Sequence, residues 1–99
     1  MDTKTRKNTK SNTLNIGERL TINQVSELRD EIIKLLSEEK KLKLDLKDVT
    51  ECDTAGVQML VSLKVYGNQH RNKISITNET ETVINEAGAL GFSPEDLFA

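Results

Sequence analysis

The chain has 99 residues, of which 30% are charged and 35% hydrophobic, and its formal net charge is −2 at pH 7. This length predicts one small domain. The single cysteine, Cys52, excludes a disulfide within the chain, and no run is long and apolar enough to span a membrane. Without the apolar segment of a secretory signal, the sequence predicts a cytoplasmic protein.

The charges are divided unevenly between the first twelve residues and the rest. Residues 1–12 contain four basic residues and one acid, a net charge of +3, so residues 13–99 carry the remaining −5 of the total of −2. We interpret residues 1–12 as a disordered polar tail and residues 13–99 as the folded domain. An acidic domain argues against nucleic acid as its main partner.

Hydrophobic periodicity predicts strands that alternate with helices. Residues 13–22 alternate as one bent strand or two short ones, and residues 23–41 have the three- and four-residue apolar spacing of an amphipathic helix capped by Asn23. The run "KLKLDL" is a second strand region, at residues 41–46. A helix from residue 54 to 71, the strand "KISIT", a helix over 79–90 and a last helical turn follow.

This order predicts an α/β domain with a mixed sheet of about four strands and helices packed mainly against one face. In the helix after residue 54, the spacing of Val57, Leu60, Val61 and Val65 indicates a core-facing side. Met59 and Ser62 then point elsewhere. Met59 is interpreted either as an adaptable interface residue or as a side chain packed on the neighbouring helix.

The sequence lacks the usual signatures of nucleotide, dinucleotide and zinc sites. We therefore expect no catalytic residue, no metal and no cofactor. His70 lies near a predicted helix end, where it is expected to bind terminal carbonyls. Four acids, Asp45, Asp48, Glu51 and Asp53, follow the central strand, and a metal-dependent receiver site built from them remains the least favoured alternative.

The stretch "VTECDTAG", residues 49–56, precedes the second long helix. Thr54 is predicted to be the N-cap of that helix. The same position makes it a candidate phosphorylation site, because a helix N-terminus tolerates a phosphate and the small residues Ala55 and Gly56 leave the hydroxyl accessible.

The segment "LKLDLKDVTECDTAGVQMLVSLKVYG" resembles the core of the STAS domain, the fold of bacterial anti-sigma-factor antagonists. The shared pattern is an apolar strand, a short polar loop, then Asp, a hydroxyl residue, a small residue and Gly opening an apolar helix. Upstream and downstream segments extend the resemblance over about residues 13–98. The resemblance implies a single STAS-type domain.

The resemblance also implies a non-enzymatic switch. In antagonists of this type, the hydroxyl residue at the Thr54 position is phosphorylated by an anti-sigma factor that is a serine kinase, and a phosphatase resets it. The implied partner-binding surface is the loop and the exposed side of the helix it opens. It comprises Asp53, Thr54, Ala55, Gly56, Gln58, Met59 and Ser62.

The chain has Thr-Ala where typical antagonists have two serines. With Gln58, "DTAG" is similar to STAS proteins associated with chemotaxis operons and to the STAS subunit of a phospholipid-transport ATPase. In that subunit the threonine is an interface residue. The alternative partner is therefore an ABC transporter ATPase, bound constitutively.

Overall fold

The structure is a computed structural model that describes residues 7–8, 12–38 and 41–98. Within these ranges the chain forms six strands and four helices. In chain order they are β1 (Lys7–Asn8), β2 (Thr13–Asn15), β3 (Arg19–Leu20), α1 (Ile22–Leu36), β4 (Lys41–Asp45), β5 (Glu51–Cys52), α2 (Thr54–Gln69), β6 (Lys73–Thr77), α3 (Glu81–Ala89) and α4 (Pro94–Phe98).

The strands form two separate sheets. The main sheet has the order β1-β2-β4-β6, with β2, β4 and β6 parallel and the two-residue β1 antiparallel to β2. Strands β3 and β5 pair only with each other, in parallel. The predicted mixed sheet of about four strands is therefore correct only in part. A turn at Gly17, with φ of 96°, ends the first alternating run and directs β3 away from the main sheet.

One face of the main sheet carries the core. Strand register places Leu14 beside Leu44, and Leu44 beside Ile76, so their side chains share a face, and all three are buried. Leu42 and Ile74 form the next buried pair. The alternate positions include Lys41, Lys43 and Lys73, which are exposed on the opposite face.

Helices cover the apolar face and begin at defined caps. Thr21, not Asn23, is the N-cap of α1, and it forms a capping box with Gln24. Leu28, Ile32 and Leu36 are the buried positions of α1. A second cluster joins the other three helices through residues that are 0–2% exposed. Its members are Val57 of α2, Ala87 of α3 and Leu97 of α4.

The predicted disordered tail at residues 1–12 needs correction at three positions. Lys7 and Asn8 form β1, because their backbones pair with Leu14 and Thr13. The Asn12 carbonyl accepts from the Lys43 backbone N–H at 3.0 Å. Residues 1–6 and 9–11 lie outside the described residues, so that part of the prediction stays untested. Among the helices that the structure describes, none is long and apolar enough to cross a membrane.

Candidate functional site

The two-stranded sheet places the starts of α1 and α2 side by side. Leu20 at the end of β3 pairs with Cys52 at the end of β5. Each strand leads within two residues into a helix, α1 at Ile22 and α2 at Thr54. The N-terminal N–H groups of two helices, which lack partners within their own helix, therefore lie at one edge of the molecule.

Asp53 connects these two helix starts. Its carboxylate accepts a hydrogen bond from the backbone N–H of Gly56 at 3.0 Å, which makes Asp53 the N-cap of α2. Its second oxygen accepts from the backbone N–H of Ile22 at 2.9 Å, the first residue of α1. The hydrogen bond from Ile22 is the largest cause that lowers the pKa of Asp53, and the bond from Gly56 adds to it.

The prediction that Thr54 caps α2 is wrong, because the neighbouring Asp53 holds that position. Thr54 is instead the first helical residue, and its side chain is exposed. Its hydroxyl donates to the Glu86 carboxylate on α3 at 3.4 Å, a long and weak hydrogen bond. The Thr54 hydroxyl is therefore accessible and has no role in capping.

Gly56 is required by a close approach between α2 and β3. A Cβ atom at this position would lie 2.1 Å from the backbone oxygen of Leu20 and 2.8 Å from its side chain. No larger residue fits here without moving the helix start away from β3. Gly56 is itself buried, so it shapes the site but offers no side chain to a partner.

Glu86 on α3 influences both Thr54 and Cys52. Burial, together with the negative charges of Glu86 and Asp53, raises the pKa of the Cys52 thiol to about 11. Cys52 is therefore protonated at neutral pH and is a poor nucleophile. Glu86 has no distinctive sequence signal, since it lies in a helix 32 residues from Thr54. The sequence prediction missed it for that reason.

The predicted contact surface on α2 changes at several positions. Met59 is only 5% exposed and belongs to the core, so the interpretation of Met59 as an exposed interface residue is wrong. Ser62 is half-buried, and its hydroxyl donates to the Met59 carbonyl at 2.9 Å. Ala55 is half-buried and Gln58 is exposed, so both remain accessible in part.

Val65 is 48% exposed, although its spacing predicted a core position. The reason is that α2 contacts β6 through a neighbouring position: a Cβ on Gly67 would lie 3.1 Å from the Ile74 side chain. Val57 and Leu60 are buried as predicted, while Val61 is half-buried. The last turns of α2 thus leave valine side chains accessible.

The two valine side chains line a groove beside α2. Its lining begins at Gln58, one helical turn beyond Thr54, and continues through Val61 and Val65, while Leu90 at the end of α3 lies on the groove's other side. Leu90 is 38% exposed. The groove has two connected parts of about 260 and 440 Å³, and both are lined by Val61 and Phe92. We call it the α2–α3 groove.

The four acids after the central strand do not converge. Asp45 accepts from Asn78 at 3.0 Å, Asp48 accepts from Asn15 at 2.9 Å, and Glu51 pairs with Arg19 at 3.3 Å. With Asp53 holding two helix starts, each acid has a separate structural role. Among the described residues, no group of three potential ligands is arranged to hold a metal ion.

His70 stabilises the end of α2. Its Nδ1 lies 2.9 Å from the Tyr66 carbonyl, and the two rings stack with their centroids 4.0 Å apart. The prediction that His70 binds a carbonyl at the helix end is confirmed. These contacts give His70 a structural role.

The model of the family described as "Mlab, STAS domain" matches residues 3–94, which is most of the chain. The protein therefore belongs to the STAS domain family, in which regulatory and transport-associated roles are found and members are generally non-enzymatic. The match begins upstream of residue 13, where the domain was predicted to start. Comparison with curated proteins gives no significant match.

Proposed function

We propose that the protein is a regulatory interaction module of the anti-sigma-factor-antagonist type, switched by phosphorylation of Thr54. A partner serine/threonine kinase adds the phosphate, and a phosphatase removes it. The observation that carries the proposal is the division of roles at the start of α2. Asp53 does the capping, which leaves the Thr54 hydroxyl exposed and available for transfer.

The phosphate changes a surface that is already negative. Thr54 lies beside Asp53 and donates to Glu86, so added charge of about −1.5 to −2 repels both carboxylates. It also places that charge one helical turn before Gln58, which lines the α2–α3 groove. Partner side chains seated there in the unmodified form lose affinity, which is how the phosphate acts as a switch.

The test is incubation of the full chain with ATP and a serine/threonine kinase encoded near its gene, followed by mass spectrometry. We expect one phosphate, at Thr54, and none in Thr54→Ala. Thr50→Ala is the matched control, because Thr50 is exposed four residues earlier, in the loop before β5, and its replacement should leave the phosphate in place. Phosphate at another residue, or retained in Thr54→Ala, contradicts the proposal.

A second candidate is a constitutive STAS subunit of a larger assembly, such as a phospholipid-transport ABC ATPase or a chemotaxis-associated complex. The observation that favours it is the α2–α3 groove, whose exposed Val65 and Leu90 suit permanent burial against a partner. Thr54 is then a contact residue. This candidate predicts that Thr54→Glu abolishes co-purification with the ATPase, while Thr54 from cells carries no phosphate.

A further inference from the structure

The face of the main sheet opposite the core carries a lysine cluster. Register places Lys41 on β4 directly beside Lys73 on β6, and Lys43 follows two positions along β4 on the same face. All three side chains are exposed. Facing positions on neighbouring strands are about 5 Å apart and alternate positions about 7 Å, so the three charges lie within a Debye length of each other.

No acid neutralises this cluster within the described strands. Lys43 lies between Thr13 of β2 and Ser75 of β6, and Lys41 faces Lys73. The described side chains in these two cross-strand rows are therefore only lysines and hydroxyl residues. The next acid on this face, Asp45, is buried and is contacted by Lys47 at 4.0 Å. Facing lysines destabilise a sheet, so the arrangement weakens the fold unless something anionic covers it.

The rest of the protein has the opposite charge. Residues 13–99 carry a net charge of −5, although this face is positive. Within the +3 segment at residues 1–12, Lys7 and Asn8 form β1, which pairs with β2 at the edge of the same sheet. The basic sheet face thus belongs to an otherwise acidic domain.

We propose that this face is a docking surface for an anionic lipid bilayer. The described surface consists of lysine, serine, threonine and asparagine side chains beside the buried Asp45. Lysines near anionic headgroups contribute additively without needing fixed partners. In β2, β4 and β6, this face has no apolar side chain that would anchor a protein interface. The same three strands place no aromatic side chain on it to stack on bases and no arginine to read them.

The test is sedimentation of the full chain with vesicles of phosphatidylcholine containing phosphatidylglycerol, and with phosphatidylcholine alone. We expect binding only to the anionic vesicles, and release by salt. The variant K41Q/K43Q/K73Q should bind about 100-fold more weakly. The matched control R19Q/R29Q/K34Q removes the same charge from exposed positions outside the main sheet, and should bind within about threefold of the wild type.

A single substitution distinguishes a loss of binding from a folding defect. Lys43→Gln alone should weaken vesicle binding about fivefold while its circular dichroism spectrum stays that of the wild type. The proposal is overturned if anionic vesicles do not bind at low salt, if the triple variant binds like the wild type, or if the control loses as much as the triple variant. Tighter binding to polyglutamate or to an oligonucleotide, lost in the triple variant, assigns the face to those partners instead.

Discussion

At the scale of single residues, the site depends on one carboxylate with two hydrogen bonds. Asp53 caps α2 through Gly56 and at the same time accepts from Ile22 of α1. Asp and Thr are both good N-caps, so the sequence pair Asp53-Thr54 did not indicate which residue caps the helix. The hydrogen bond from Ile22, 31 residues away in the chain, favours Asp53 as the N-cap. Such a tertiary contact cannot be predicted from the residues near Asp53 in sequence.

Replacing Asp53 should lower stability in a pH-dependent way. Its pKa is lowered in the folded state, so its contribution is complete above the ordinary carboxyl value of 3.8 and is lost as the pH falls through the lowered value. We expect Asp53→Ala to lower the free energy of unfolding by about 2 kcal/mol at neutral pH. Urea unfolding at several pH values measures it.

Two variants sharpen this experiment. Asp53→Asn keeps a capping oxygen, so its deficit should be smaller and should shrink further as the pH falls. Asp48→Ala is the control, because Asp48 is exposed and its carboxylate accepts from the Asn15 side chain and caps no helix. Equal losses for Asp48→Ala and Asp53→Ala, or a deficit that does not change with pH, would refute the double-cap role.

The Cys52 thiol should report on the charge of Glu86. With a pKa raised to about 11, native Cys52 should react with a thiol reagent at pH 8 at least about 100-fold more slowly than in the unfolded chain. Glu86→Gln removes a negative charge and should speed the reaction several-fold. Glu81→Gln, an exposed change on the same helix, should have no effect. An unchanged rate in Glu86→Gln would show that the charge of Glu86 does not contribute to the thiol's reactivity.

At the scale of elements, Gly56 sets how closely α2 approaches β3. Gly56→Ala places a methyl group against the Leu20 carbonyl and should lower the free energy of unfolding by at least about 2 kcal/mol. Gly88→Ala is the matched change in α3, where nothing lies within 4 Å of the new Cβ. It should stabilise by about 0.5–1 kcal/mol. Thermal unfolding of both variants tests this, and equal shifts would argue against the close approach.

Element types followed from hydrophobic periodicity, but pairing between elements did not. The alternation at residues 13–22 indicated one bent strand or two, and the two-strand interpretation is the one observed. What the pattern lacked was the partner: β3 pairs with the two-residue β5, which has too few residues to show any periodicity. The sheet that positions the site was therefore absent from the prediction.

At the scale of the whole molecule, the STAS resemblance predicted the family to which the chain belongs. The exposed apolar residues of the groove were not predicted. Val65 has core spacing, and only the contact of Gly67 with Ile74 shows which side of α2 meets the sheet. Leu90 follows α3 and lines the same groove as Val61, which it can do only because α2 and α3 pack beside each other. Such tertiary contacts have no local sequence signal.

The bond between Asp53 and Ile22 also has a consequence for the order of folding. It joins segments 31 residues apart, and the β3–β5 ladder beneath it spans a similar distance. Contacts of this separation form after local helices, because the intervening chain must first close into a loop. The backbone around Thr54 therefore reaches its native arrangement only when α1, α2 and both short strands have assembled. A partner that recognises this arrangement discriminates folded molecules from nascent or partly unfolded ones.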